Sequence, residues 1–342
     1  MKSNQLPKLE NQRNLSKHLS AQQPRRLRAS AKLRTLVSET QVDVGHLVMP
    51  IFVQEGSGVK QKVESMPGIY RYSLDKELDK EIDEITSLGI NSVLLFGLPR
   101  KKDHFGSEAY NSNGIVQQAI ARIKNLNKEI IVICDVCMCE YTNQGHCGIL
   151  NHAGHIENEK TISYLGKIAA TQAEAGADIV APSAMMDDQV GAIRSALDTN
   201  GFDSTPIMSY SSKFASAFYS PFREAADCAP QFGDRKTYQM DWRNIREALK
   251  ETQLDVDQGA DILMVKPALP YLDIISAVRQ KFALPLAAYN VSGEYSMIKA
   301  ASINGWIDED RIVDEVLHSI RRAGADIIIT YFAKEYAKKR LR

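Results

Sequence analysis

The chain has no surplus of either charge: 42 lysines and arginines face 42 aspartates and glutamates. Without a global field it has no electrostatic means of recruiting nucleic acid or an anionic membrane, so its expected partners are small molecules or other protein chains. It lacks any apolar run of the roughly 18 residues needed to cross a bilayer, and its polar N-terminus has no hydrophobic region of the signal-peptide kind. The cytoplasm is the expected location. No Gly-x-Gly-x-x-Gly turn and no phosphate loop follows the first apolar run, which argues against a dinucleotide-binding open sheet. Cysteine is scarce and unevenly placed, with five in 342 residues and three of them between Cys137 and Cys147. An odd, clustered set suits metal binding better than a secreted disulfide framework.

What is present is an alternation. Short apolar runs at 47–53, 92–97, 130–136, 178–181, 206–210, 261–265, 285–291 and 326–331 are rich in β-branched residues. Between them lie amphipathic stretches at 74–88, 114–127, 157–175, 187–197, 243–258, 272–281 and 310–323. Strand-helix alternation implies parallel strands with helical crossovers. One joint is reused: Ala175-Gly176-Ala177-Asp178, Gln258-Gly259-Ala260-Asp261 and Ala323-Gly324-Ala325-Asp326 each precede an apolar run. Glycine ends the helix in the left-handed conformation and alanine permits a tight turn into the strand. Eight such units predict a TIM (β/α)8 barrel over 41–342, with its active site at the carboxyl ends of the strands. Residues 1–40 are polar and locally basic and read as an arm, either a solvated tail or a segment that packs on a neighbouring subunit.

In a barrel, the polar residues that end the runs meet at one mouth: Asp135 and Cys137, Ser183, Lys213, Lys266, Ser292 and Tyr331. Lys266 ends the run Asp261-Ile262-Leu263-Met264-Val265, and Lys213 ends Pro206-Ile207-Met208-Ser209-Tyr210-Ser211-Ser212. Neighbouring ammonium groups disfavour each other's charge and burial adds to this, so both amines are expected to lose basicity and to become nucleophiles that capture ketones as Schiff bases. Taken singly, each lysine reads equally well as a surface cation. The connection after Lys213, about 214–240, is long for a barrel and reads as a lid. Cys137, Cys139 and Cys147 can fold around one cation and leave a fourth position open, the pattern of a catalytic zinc. Ordinary core thiols are the other reading, and His146 stands as either a fourth ligand or a hydrogen-bonding residue.

The stretches Asp135-Val136-Cys137-Met138-Cys139-Glu140-Tyr141-Thr142, Gly145-His146-Cys147-Gly148, Ser209-Tyr210-Ser211-Ser212-Lys213-Phe214-Ala215-Ser216 and Tyr219-Ser220-Pro221-Phe222-Arg223 resemble the porphobilinogen synthase (5-aminolevulinate dehydratase) family. So do Phe232-Gly233-Asp234-Arg235, Met264-Val265-Lys266-Pro267, Tyr271-Leu272-Asp273, Val291-Ser292-Gly293-Glu294 and Ile327-Ile328-Ile329-Thr330-Tyr331, in the family's order over about residues 45–332. The resemblance implies a TIM barrel with an N-terminal arm, assembled as a homo-octamer. It also implies the asymmetric condensation of two 5-aminolevulinate molecules to porphobilinogen, with loss of two waters, for tetrapyrrole and haem synthesis. By position, Lys266 would carry the propionate-side substrate and Lys213 the acetate-side one, with zinc on Cys137, Cys139 and Cys147. Forming a pyrrole from two amino ketones needs both carbonyls activated and held in register. Two amines and a Lewis acid suffice. Asp135 would orient groups or move protons, or cap a strand end.

The resemblance further makes Arg223, Arg235 and Gln239 the acetate-side carboxylate clamp, and Ser292 and Tyr331 the propionate-side clamp. A guanidinium fork suits a carboxylate. Tyr219, Tyr289 and Val291 become pocket walls, and Glu251 the ligand of an allosteric magnesium at a subunit interface. All three thiols are present, which excludes the family branch that carries aspartates there. Thr237 stands where some members have a cysteine for a second zinc, and Asp188 where glycine is usual. A class I aldolase on the same barrel needs only one lysine, and a zinc-dependent scaffold that has lost catalysis needs neither.

Overall fold

The computed structural model describes residues 23–340. The chain divides between Gln41 and Val42 into two units. The described part of the first holds a 3-10 turn, Pro24–Arg28, and helix α1, Ala31–Leu36, whose first turn is capped by the Ser30 hydroxyl accepting from the Leu33 N–H at 3.1 Å. Residues 1–22 of the expected arm lie outside the described residues.

The second unit is a barrel. Its strands are β1 (Leu47–Gln54), β4 (Ser92–Leu98), β5 (Ile131–Val136), β6 (Ile179–Pro182), β7 (Met208–Lys213), β8 (Ile262–Lys266), β9 (Leu286–Asn290) and β10 (Ile327–Thr330). They pair in parallel in the order β6-β5-β4-β1-β10-β9-β8-β7, and a parallel bridge from Val180 to Ile207 joins the two ends of that order. A small antiparallel hairpin, β2 (Lys60–Lys62) with β3 (Tyr70–Ser73), hangs on β1 through β3. The helices are α2 (Lys76–Ser87), α3 (Ile115–Leu126), α4 (Asn158–Glu174), α5 (Gln189–Thr199), α6 (Ser220–Ala225), α7 (Ile245–Asp257), α8 (Leu272–Lys281), α9 (Ser292–Ile303), α10 (Glu309–Ala323) and α11 (Ala333–Arg340). Strands buried on both faces read as continuous apolar runs, and the eight runs of the sequence are these eight strands.

The repeated Gly-Ala-Asp joint has a structural purpose at the amino end of the barrel. Gly176, Gly259 and Gly324 hold φ of 102°, 96° and 128°, where a side chain is strained. Each following aspartate reaches the strand before it: Asp178, Asp261 and Asp326 carboxylates accept from the N–H groups of Val132, Ile207 and Leu286 at 2.7, 2.8 and 3.0 Å. These bonds pin adjacent strands at the end opposite the mouth, where residues serve stability.

Strand β7 is unusual because most of its buried residues are polar. Ser209 donates to Asp255 on α7 at 2.6 Å, and the Ser212 hydroxyl lies 2.9 Å from that of Thr252. Those partners let a serine-rich strand enter the core. Between Ser209 and Ser212 the pairing with β8 slips by one residue, so that Lys213 lies opposite Lys266. In uniform register Ser212 would take that place. Because side chains alternate faces along a strand, the extra residue turns Lys213 onto the face of Lys266.

Candidate active site

Lys213 and Lys266 are each 5 % exposed, at the last positions of neighbouring strands. Their amines share one ring: the Tyr210 centroid is 5.5 Å from Lys213 Nζ and 4.9 Å from Lys266 Nζ. Lys266 Nζ also lies 4.3 Å from Tyr289, 5.4 Å from Tyr219 and 5.2 Å from Phe222. Burial in this aromatic box, helped by the charge of Lys213, brings the Lys266 amine down to about 7.

Lys213 corrects the expectation that both amines lose basicity. Burial pulls it down, but the negative charge of Cys147, Cys137 and Asp135 outweighs burial and raises it. Its Nζ donates to the Ser183 carbonyl. Asp135 accepts from the Ser183 hydroxyl at 3.0 Å, while its other oxygen is sealed and without a partner. Burial raises the Asp135 carboxyl, against the pull of both lysines. The resulting site has one amine brought down to about 7, one amine raised, and a buried carboxyl raised above its ordinary range.

Beside Lys213, the donor atoms of Cys137, Cys139 and Cys147 lie within 4.8 Å of one another, all buried, with Cys137 and Cys139 sulphurs 3.5 Å apart. The Cys147 thiol falls well below its usual range because Cys137 and Cys139 donate to it, with Arg235 and Lys213 adding positive charge. Burial pushes Cys137 up, and its sulphur neighbours push Cys139 up. Of the three sulphurs, Cys147 is the one drawn toward the thiolate form. Such a soft, compact and partly anionic set is chemically fit for a thiophilic metal ion. His146 spends both ring nitrogens elsewhere, at 3.1 Å from the Tyr238 hydroxyl and 3.0 Å from the Phe232 carbonyl. Hydrogen bonding is therefore its role here.

The segment from Phe214 to α7 lies across the mouth. Gln231 donates to the Gln144 carbonyl at 3.0 Å, and Arg71 Nε to that of Ala225 at 2.9 Å. Arg235 donates to the carbonyls of Gly145 and Cys228 at 2.9 and 2.6 Å. Three donors on this segment, Arg223 Nε, Arg235 Nε and Gln239 Nε2, are enclosed without partners. Unsatisfied buried donors cost roughly 1–3 kcal/mol each. They are poised for an acceptor brought in from outside.

The family model described as delta-aminolevulinic acid dehydratase matches residues 21–339. The chain belongs to the delta-aminolevulinic acid dehydratase family. It is 55 % identical over 324 residues to the protein of that name from Halalkalibacterium halodurans, covering 95 % of this chain and 98 % of the relative. With that from Archaeoglobus fulgidus it is 56 % identical over 315 residues, 92 % and 97 % of the two chains. A crystal structure of the Toxoplasma gondii enzyme, in complex with the reaction product porphobilinogen, superposes with a TM-score of 0.91 at 45 % identity, over 93 % of this chain and 91 % of that one. As a delta-aminolevulinic acid dehydratase family member the chain is an enzyme, a lyase, on a TIM barrel.

The other residues singled out in the sequence separate into two places. Ser292, at the start of α9, donates to the Phe218 carbonyl at 3.2 Å and accepts from the Phe222 N–H at 3.0 Å. The Tyr331 hydroxyl, just past β10, lies 3.1 Å from that of Tyr289, and the Tyr219 hydroxyl donates to the Lys266 carbonyl at 3.1 Å. Val291, 1 % exposed, links β9 to α9, and its N–H donates to Glu294. Tyr219 and Tyr289 lie against the Lys266 amine, Tyr331 reaches it through Tyr289, and Ser292 holds the backbone of Phe222, whose ring is a further wall. Glu251 lies instead in a surface cleft of about 400 Å³ with Asp187, Asp241 and Glu247. Partial burial and the charges of Asp187 and Asp255 raise its carboxyl. Thr237 lines the same cleft. Asp188 holds a φ of 60°, the left-handed geometry that explains glycine as the usual residue, and accepts from Gln258 Nε2 at 2.8 Å.

Two buried groups near the thiols have no counterpart in the sequence reading. Cys228 and Glu140 sit with Cys139 in a second donor set, and Glu140 also joins Asp135 and Cys137 in a third. A single cysteine 81 positions beyond Cys147 gave no spacing signal. Gly145 makes the approach of the two segments possible: at φ 71°, a Cβ there would fall 2.4 Å from the Ala229 carbonyl oxygen. Gly145→Ala is expected to cost about 2–3 kcal/mol of stability from combined strain and overlap, read as a lowered thermal midpoint.

Proposed function

We propose that the chain condenses two molecules of 5-aminolevulinate into porphobilinogen with release of two waters, supplying tetrapyrrole and haem synthesis in the cytoplasm. The observation that carries this reading is the pair of buried lysines brought onto one ring by the slipped register of β7. The product in the Toxoplasma gondii structure supports it.

Lys266, half uncharged near neutral pH, attacks the ketone of the propionate-side substrate. The carbonyl oxygen leaves as water and a Schiff base remains. Lys213 forms the corresponding bond with the acetate-side substrate once it has released a proton, and Asp135, charge-coupled to both amines, receives and returns protons. The free donors of Arg223, Arg235 and Gln239 take the acetate-side carboxylate, while Ser292 and Tyr331 take the propionate-side one. Tyr219, Tyr289 and Val291 wall the pocket, and Tyr219 and Phe222 help exclude water from Lys266. Cys137, Cys139 and Cys147 would hold zinc, which when bound supplies a Lewis acid for polarising a ketone oxygen. Segment 214–240 is the lid.

The acidic cleft around Glu251 would take magnesium, since crowded carboxylates with a raised protonation range are relieved by a divalent cation. Residues 1–40 would act as an arm in a homo-octamer. The reading is tested by incubating the protein with 5-aminolevulinate and following mass: a product equal to two substrates less two waters is expected. Formation of a covalent substrate adduct with no such product would overturn the condensation and leave only Schiff-base chemistry.

A further inference from the structure

Cys228 is the one thiol near the site that belongs to the covering segment rather than to the barrel. It is 1 % exposed, and its position is fixed by its N–H donating to Arg223 and its carbonyl accepting from Arg235. Its sulphur, that of Cys139 and a carboxylate oxygen of Glu140 all lie within 4.8 Å of one another. Glu140 is 3 % exposed. One of its oxygens accepts from the Cys139 thiol at 3.2 Å and the other, sealed from solvent, has no partner. A buried carboxyl with one oxygen on a thiol and the other without a donor asks for a cation. The set shares Cys139 with the three-cysteine cluster, yet the two do not merge into one four-sulphur group.

We propose that Cys139, Glu140 and Cys228 form a second site for a thiophilic divalent metal ion of the zinc class, adjacent to the three-cysteine set, with the Cys139 sulphur shared between two ions. Two thiolates and a carboxylate are a ligand set that such ions accept, with a fourth position left for water. The consequence is mechanical as well as chemical. An ion at this site ties segment 214–244 to the loop after β5, so metal loading fixes Cys228 between the Arg223 carbonyl and the Arg235 guanidinium, both of which its backbone already engages.

The test uses the full chain saturated with cadmium, desalted, and measured for metal per chain by elemental analysis and native mass spectrometry. Two equivalents are expected for the unaltered protein. Cys228→Ser and Glu140→Gln are each expected to retain one, with weaker sulphur-to-cadmium ultraviolet absorption for the serine variant. Cys147→Ser, which breaks the other set, is expected to keep the ion at Cys228. A single equivalent in the unaltered protein, two in Cys228→Ser, or a Cys139–Cys228 disulfide in the freshly prepared reduced protein would each overturn the proposal. No turnover is read, so the result stands apart from the choice of substrate.

Discussion

Lys266→Met is expected to reduce porphobilinogen formation by about 10⁴-fold or more while making the protein harder to unfold. On the proposed mechanism the loss follows from removing the amine that would form the covalent bond and hold the first ketone in place, effects worth that much together. The gain follows from removing a base buried in the aromatic box. Its folded value of about 7 lies below the ordinary lysine value of about 10.4, so the unfolded chain binds the extra proton between those limits. Stability from this group therefore rises with pH across that window, and its full cost is present below about pH 7. Methionine, of similar length and apolar, should recover about 1–4 kcal/mol near pH 6.5 and progressively less toward pH 10. Denaturant midpoints at pH 6.5 and 9 measure the difference. Borohydride trapping with 5-aminolevulinate should label Lys266 in the unaltered protein, faster as pH rises with a midpoint about 7, and leave no adduct at 266 in the variant. A methionine variant less stable at pH 6.5 would show that the amine is not desolvated as described.

Chelation is expected to lower product formation by about 10³-fold, with zinc restoring it, and Cys147→Ser should reproduce the loss without rescue. Cys137, Cys139 and Cys147 would hold the ion, their buried sulphurs already lying within 4.8 Å of one another. Without an ion, the negative charge of Cys147, Cys137 and Asp135 beside Lys213 raises that amine and opposes its loss of a proton. Lys266, boxed by Tyr210, Tyr219, Phe222 and Tyr289, is governed by its rings. Its borohydride adduct should survive chelation even as turnover stops. Undiminished turnover in fully metal-free protein would remove the ion from the chemistry.

The sequence displays its strands openly because both faces of each barrel strand are buried, leaving apolar runs that end in chemistry-bearing residues. Hairpin β2–β3 was not visible: Lys60-Gln61-Lys62 is exposed and polar, without the apolar alternation that marks a strand. Helices α9 and α11 were missed for related reasons, the first being weakly amphipathic and the second largely charged. The lysines were legible as strand ends. Their meeting at one mouth was legible too, but not the slipped register that turns Lys213 onto the face of Lys266. Charge was hardest to read. Two adjacent ammonium groups suggested mutual acidification, whereas three sulphurs folded beside only one of them split their behaviour. Glu140 and Cys228 matter through contacts between distant segments, which no local spacing encodes.

The slipped pairing in β7 gives the site a numerical basis. Four residues from Ser209 to Ser212 face three on β8, from Leu263 to Val265. A shortening by a single serine, with no change to any side chain that touches substrate, would leave an aldolase-like pocket with one amine inside and the other facing the helices. Bimolecular condensation on this barrel is separated from one-substrate chemistry by the length of one peptide unit.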